Sequence, residues 1–170
     1  MSEALKILVI RFSSIGDIVL TTPVLRCLNK QMNSEVHFLT KKKNVSLLQR
    51  NPYIHSIHTF ENDYDKLKHI GFDRIIDLQN NFRSFKLKLS IGVNSVSFKK
   101  LNFRRWLLVN FNINFMPNKH IVDRYFDTVS HLGVHNDNKG VDYFINKVNV
   151  PTSNFKKPYL CWSLSASFKN

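Results

Sequence analysis

Four consecutive aliphatic residues, Ile7-Leu8-Val9-Ile10, constrain the fold of this chain most strongly. A strand with one face in water alternates apolar and polar residues, whereas this run is apolar throughout, the pattern of a strand buried on both faces of a parallel sheet. It passes into a small polar turn, Ser13-Ser14-Ile15-Gly16-Asp17, after which Ile18, Val19, Thr22, Leu25 and Leu28 recur at helical spacing. The turn therefore joins a strand's carboxyl end to a helix's amino end, the place where open α/β sheets bind ligands. Ser13 and Ser14 offer hydroxyls and N–H groups, Gly16 permits close approach, and Asp17 sets a carboxylate over the positive end of a helix. The plain alternative for Asp17 is a first-turn acid that only stabilises the helix. Pro23 either kinks a helix begun at Gly16 or sits at the start of a new segment capped by Thr22.

The same alternation continues. Glu35–Thr40 reads as a second strand with Lys41-Lys42-Lys43 at its exit, a run whose plain reading is a solvated face. Val45–Gln49 reads as a short helix stopped at Asn51-Pro52, and Ile54–Phe60 as a third strand. His55 and His58 lie three apart, on opposite faces of such a strand, which argues against a shared metal. Tyr64–Ile70 reads as a helix closed by Gly71, Phe72–Leu78 as a fourth strand, Phe85–Ile91 as a helix ended by Gly92, and Val93–Phe98 as a fifth strand. This order implies a Rossmann-like parallel sheet with helices on both faces, its strand exits gathered on one edge. His120–Leu132 is expected to be a helix with Ile121, Tyr125, Val129 and Leu132 along one face, ended by Gly133. Val134–Pro151 reads as a connection with one short strand, Val141–Ile145, and Pro158–Ser163 as a new buried strand.

The string KILVIRFSSIGDIVLTTPVLRCL resembles the amino-terminal signature of glycosyltransferase family 9, the ADP-heptose:lipopolysaccharide heptosyltransferases and their relatives. The resemblance implies a two-domain GT-B enzyme with an acceptor domain first and a nucleotide-sugar domain second. Here residues 1–155 would be the acceptor domain and 156–170 the truncated start of the second. It gives Asp17 the role of catalytic base in an inverting transfer, with Ser13, Ser14 and Gly16 around it. DLQNNFRS, Asp77–Ser84, resembles the family's D-x-Q-x-x-x-[KR]-S element, so that Gln79 and Arg83 map onto acceptor-side positions. His120 and Arg124, in H-x-x-x-R-Y, resemble the element that reaches the same cleft from a later helix. Lys169 corresponds to a lysine that holds the donor's diphosphate, although the turn at Ser165-Ala166-Ser167 lacks the family's glycine. The implied reaction moves a sugar from a nucleotide-sugar, ADP-heptose, to lipopolysaccharide core, the nucleotide-sugar being substrate and no cofactor required. The chain by itself is expected to bind acceptor and not to transfer sugar.

Composition bears on the partners. The formal net charge of +13 favours anionic ones, although the abundant Lys, Asn, Ile and Phe are also what a genome of biased base composition encodes. Between Lys99 and Pro117, basic Lys99, Lys100, Arg104 and Arg105 precede Trp106, Leu107, Leu108, Val109 and Phe111. This is either a membrane-surface element or a helix and loop packed on the domain with its lysines outward. No apolar run approaches the ~20 residues of a membrane span, and no secretion signal is present, so a cytoplasmic location against the inner face of the membrane is expected. Cys27 and Cys161 are expected to be reduced thiols. No metal site is expected, since no His/Asp/Glu cluster has ligand spacing in the sequence. The alternative to an enzyme domain is a basic module that binds anionic glycolipid or membrane surface without catalysis. Nucleic-acid binding rests on charge alone, and a dinucleotide site needs three glycines where this turn has one.

Overall fold

In a computed structural model, which describes residues 4–101, 109–112, 117 and 119–144, the apolar run forms the central strand of a five-stranded parallel sheet. The strands are β1 (Lys6–Ile10), β2 (Glu35–Thr40), β3 (Ser56–Thr59), β4 (Arg74–Asp77) and β5 (Ser95–Ser97), in the spatial order β3-β2-β1-β4-β5. β1 pairs Ile7 with Val36 and Arg74, and Ile10 with Leu39 and Asp77. Ile7, Leu8, Val9 and Ile10 are all fully buried, as an all-apolar run requires, because helices cover both faces. On one face Ile7 and Val9 meet α2 (Thr22–Met32) and α4 (Ile121–Val129) through Leu25, Leu28, Tyr125 and Val129. On the other, Leu8 and Ile10 pack with Leu67, Phe72 and Leu87, the last from α3 (Phe82–Ile91).

The strand order reverses beside β1: the chain runs outward through β2 and β3, then returns to place β4 on the other flank. Such a reversal opens a crevice between neighbouring carboxyl ends, here those of β1 and β4. α1 (Ile15–Val19) starts at that crevice and is only five residues long. Thr21 and Thr22 end it, donating their hydroxyls to the Ile18 and Val19 carbonyls at 2.7 Å. Of the two readings of Pro23 the new segment is the one found, with the cap one residue earlier than expected, at Thr21. Pro23 stands in the first turn of α2, where its missing N–H leaves no carbonyl unpaired.

Several expected elements are shorter or different. Val45–Gln49 only overlaps a 3₁₀ turn, Lys42–Leu47, and Tyr64–Ile70 contains another, Lys66–His69; each stretch is too short to sustain a longer helix against its loop. The helix expected over His120–Leu132 is α4 followed by a 3₁₀ turn, with Gly133 at φ 75° as its left-handed end. Residues 141–144 form no strand. They belong to a strap laid over α2, because Arg26, only 2% exposed, draws the segment down. Its guanidinium holds Asp137 through two bonds of 2.7 and 2.8 Å, also pairs with Asp142, and donates to the Gly140 carbonyl at 3.0 Å. The Asp142 N–H closes the loop on Thr22 Oγ1 at 2.9 Å. Residues 145–170, including the strand expected at Pro158–Ser163, Cys161 and the proposed domain boundary, lie outside the described residues.

The strap yields a stability test. The Arg26 bond holds the Asp137 carboxyl at about 2, against an ordinary 3.8, with burial opposing and the Lys139 N–H assisting. A depressed carboxylate contributes stability that is complete above its unfolded value and is lost as pH falls through the folded one, so this contribution should fade between about pH 4 and pH 2. Asp137→Ala should destabilise the native state by about 1–3 kcal/mol at pH 7, by leaving buried Arg26 half-paired. Urea denaturation at pH 7 and pH 3 checks this, the difference between wild type and variant shrinking at the lower pH.

Candidate functional site

The carboxyl edge of the sheet is assembled around Arg11, the first residue beyond β1. Backbone carbonyls leaving a strand lose their ladder partners, and the buried guanidinium supplies donors in their place: Nε bonds the Ser13 carbonyl at 2.6 Å and Nη1 the Leu78 carbonyl at 2.5 Å. Nη2 pairs with Asp17 Oδ2 at 2.6 Å, and the guanidinium lies 5.8 Å from the Tyr125 ring centre. One side chain thus spans the β1–β4 crevice and carries the acid on its outer corner.

Asp17 has two further partners. The Ser14 N–H donates to Oδ2 at 3.0 Å and the Ser14 hydroxyl lies 3.1 Å from the same oxygen, so Asp17 is the first-turn acid that the plain reading expected, closing back on the residue before α1. Partial burial pushes its pKa up, but the Ser14 N–H, the Arg11 charge and bond, and the Ser14 hydroxyl together outweigh it and hold the carboxyl below its ordinary value. The side chain remains 34% exposed. Beside it Ser13, Ser14 and Gly16 line a hollow of about 360 Å³ with Ile15, Lys43 and Asn44. A Cβ on Gly16 would meet no atom within 4 Å and its φ is ordinary, so nothing inside the chain calls for glycine there; the open space faces outward. Asn44 holds the far wall, its amide donating to the Phe12 carbonyl at 2.9 Å.

Gln79, at the exit of β4, faces the crevice from the other side. Its Oε1 accepts the Phe12 and Ser13 N–H groups at 2.9 and 3.3 Å; both partners are donors, which fixes the amide's orientation. Gln79 therefore holds the turn that carries Asp17. Beneath it Asp77, fully buried, accepts the Gln79 and Asn80 N–H groups at 3.0 and 2.7 Å and pairs with Lys88 at 2.9 Å.

The remaining expected residues reach the same edge but not one pocket. Arg83 is exposed on the first turn of α3 and lines a separate hollow with Phe60, Glu61, Tyr64 and Lys86. His120 caps α4, its Nδ1 accepting the Val122 N–H at 3.3 Å. Arg124, one turn on, donates to the Lys99 carbonyl at 3.0 Å, lies 4.8 Å from the Phe98 ring centre, and borders a cavity of about 420 Å³ beyond β5 with Ser97, Lys119 and Thr128. Tyr125 links the two regions, buried between Arg11 and Phe98, with its hydroxyl unpartnered. Burial raises the phenol's pKa; the Arg11 charge opposes that and the Asp17 charge reinforces it.

Sequence reasoning did not single out Arg11 or Tyr125. A signal for each existed: a lone arginine directly after a buried run, and a tyrosine on the inward stripe of α4. Lys43, in a run whose plain reading is a solvated face, borders the Asp17 hollow. The expectation that His55 and His58 diverge fails for a reason no local spacing shows. His55 precedes β3, outside strict alternation, and both rings pack on His37 of the neighbouring strand with centroids 5.2 Å away. Lys169 and the stretch Arg104–Leu108 lie outside the described residues, while Val109 and Phe111 are exposed. No helix among the described residues is long and apolar enough to cross a membrane.

Among solved structures, the chain is similar to the glycosyl transferase family 9 protein from Veillonella parvula, with a TM-score of 0.64 and 22% identity over 87% of this chain and 48% of that one. It is similar to ADP-heptose LPS heptosyltransferase II of E. coli at 0.56 and 22%, over 73% and 40% of the respective chains. It is also similar to E. coli heptosyltransferase WaaC, solved with ADP, at 0.59 and 15%, over 81% and 51%. No protein-family model and no curated protein matches the sequence. The chain spans about half the length of these solved structures and shares their fold, the sheet and helices of one Rossmann-like half.

If Gln79 acts by holding the turn, its acceptor oxygen is what matters. Gln79→Glu should retain near-wild-type stability, whereas Gln79→Leu, which orphans the Phe12 and Ser13 N–H groups, should lose about 1–3 kcal/mol in a urea melt. Equal stability of the leucine variant would remove Gln79 from this role.

Proposed function

We propose that this chain is the acceptor-side domain of a glycosyltransferase of heptosyltransferase type, with Asp17 as its base. The observation that carries the reading is the state of Asp17: an ionised, one-third-exposed carboxylate clamped at the strand–helix junction beside an open hollow, on the fold of a heptosyltransferase half. All its contacts with Arg11 and Ser14 fall on Oδ2, so the acceptor proton is assigned to Oδ1.

In an inverting transfer the acceptor oxygen forms its bond to the anomeric carbon as the bond to the departing nucleoside diphosphate breaks, and the hydroxyl proton passes to the base. Next to Arg11 the carboxylate is a weak base, because protonating it would leave the guanidinium uncompensated. It therefore takes the proton late, as the oxygen becomes acidic through bond formation. Arg124 and Arg83, each bordering its own hollow on this edge, suit phosphate or carboxylate groups of a lipopolysaccharide-core acceptor, where a planar fork pairs bidentately. His120 would act with Arg124 from the same helix. The donor, a nucleotide-sugar such as ADP-heptose, would be held by a second domain. The whole enzyme would work at the inner face of the cytoplasmic membrane, where such an acceptor is presented.

Binding and chemistry separate in a two-part test. Titration of the chain with phosphorylated core oligosaccharide should give saturable binding that Arg124→Ala weakens about tenfold and Asp17→Asn leaves within about twofold. In the native polypeptide carrying this chain, Asp17→Asn should lower transfer from ADP-heptose by about 10²–10⁴; wild-type turnover in that variant would end the base assignment. Gly16→Ala should stabilise the fold by up to about 1 kcal/mol, since its φ is ordinary, while weakening acceptor binding through the methyl it adds to the hollow.

A further inference from the structure

At the opposite end of the sheet, where β2 begins, lies a cluster the proposed transfer does not use. We propose that Glu35, His37 and His55 form a binding site for one zinc-like divalent cation, with His58 as the partner that orients His37. Glu35 and His37 alternate onto the same face of β2, and His55 stands just ahead of β3, so the site ties an edge strand to its inner neighbour. One donor atom from each of the three residues lies within 4.8 Å of the other two.

The second, independent observation is the state of His37. It is 5% exposed, and its Nε2 is buried without any hydrogen-bond partner. Its Nδ1 is engaged, 3.0 Å from His58 Nε2, with the two rings nearly parallel at 11°. If Nδ1 carries the proton and donates to His58, Nε2 is left with a bare lone pair, the arrangement found in metal-ligating histidines whose other nitrogen is held by an outer partner. A leucine here would fill the space against Phe72 without an orphaned nitrogen; a cation gives the nitrogen a purpose.

Two imidazoles and one carboxylate are the donor set of a borderline transition ion, whereas magnesium and calcium take oxygen alone. Tetrahedral zinc at bonds of about 2.0–2.1 Å needs its ligand atoms about 3.3 Å apart, so the cluster must contract. Exposed His55 and half-buried Glu35 are able to rotate inward while buried His37 stays fixed. The Lys6 ammonium, from the residue that pairs with Glu35 in register, opposes the cation, which makes the Glu35 carboxylate the ligand that balances its charge. His55 opens to solvent, leaving the fourth position to water.

The test uses the whole chain, stripped of metal with a chelator and titrated with zinc chloride by calorimetry, with cobalt(II) absorption as a spectroscopic reporter of tetrahedral coordination. The expected result is one ion per chain, a visible cobalt band, and a Tm raised by about 5–10 °C at saturating zinc. His55→Ala, at an exposed position that does not endanger folding, should weaken zinc at least tenfold, and His58→Gln should weaken it about tenfold through His37. His131→Ala, outside the cluster, should change nothing. Absence of binding, affinity unaltered in His55→Ala, or magnesium binding as tightly as zinc would each overturn the site. None of these readouts depends on acceptor or donor, so they stand apart from the transferase reading.

Discussion

One permanently charged side chain underlies the carboxyl edge of this protein. Arg11 cannot lose its proton, so its burial between β1, β4 and α4 is tolerable only because each guanidinium nitrogen meets a carbonyl or a carboxylate and the Tyr125 ring lies nearby. That need recruits Asp17, and with it the geometry of α1. A helix of five residues has little stability of its own; its amino end is held in place by a carboxylate anchored from outside the helix. The anchor that gives the acid its position also lowers its basicity. A carboxylate free of Arg11 would accept a proton more readily but would not stay at the mouth of the crevice.

The two sheet faces do different work. The face toward α2 and α4 carries the larger apolar cluster and, through Tyr125, touches the underside of the Arg11 charge. The face toward α3 is apolar near the carboxyl edge, where Ile10, Phe12 and Leu87 pack, and turns polar at the other end, where His37 replaces an aliphatic residue directly beside Leu8 in register. A buried polar ring at that point weakens the core unless something outside the fold engages it. The two ends of the sheet thus differ in chemistry, with the Arg83 and Arg124 guanidiniums at one and the Glu35 carboxylate and the His37 and His55 imidazoles at the other.

Much of this was legible in the chain. The uniform apolarity of Ile7–Ile10 is enough to make it a strand buried on both faces of a parallel sheet, and the change of period after Asp17 locates the crevice. Gly71, Gly92 and Gly133 all stand at positive φ, where the element ends were expected. What was not legible depends on partners distant in sequence. Arg11 and the Leu78 carbonyl are 67 residues apart, and the strap closes on Arg26 across more than 110 residues. Val141–Phe144 has the composition of a strand, yet the Asp142 side chain is taken by buried Arg26 and its N–H by Thr22. His55 and His58 look divergent by spacing because the residue that unites them, His37, lies on another strand.

The strap has a mechanical meaning beyond its stability. Asp142 is held twice, by its side chain on Arg26 and by its N–H on Thr22, at the very start of the helix that follows α1. Turning the backbone ahead of Asp142 would break a buried ion pair and pull on α2; turning it from Tyr143 onward breaks neither bond. Beyond Asp142 the Phe144 ring still lies against Tyr53, 6.2 Å between centroids, so the strap is tied to the domain at a second point. A pull on this strap is delivered to Arg26 and to Thr22, the first residue of α2, a few residues from Asp17.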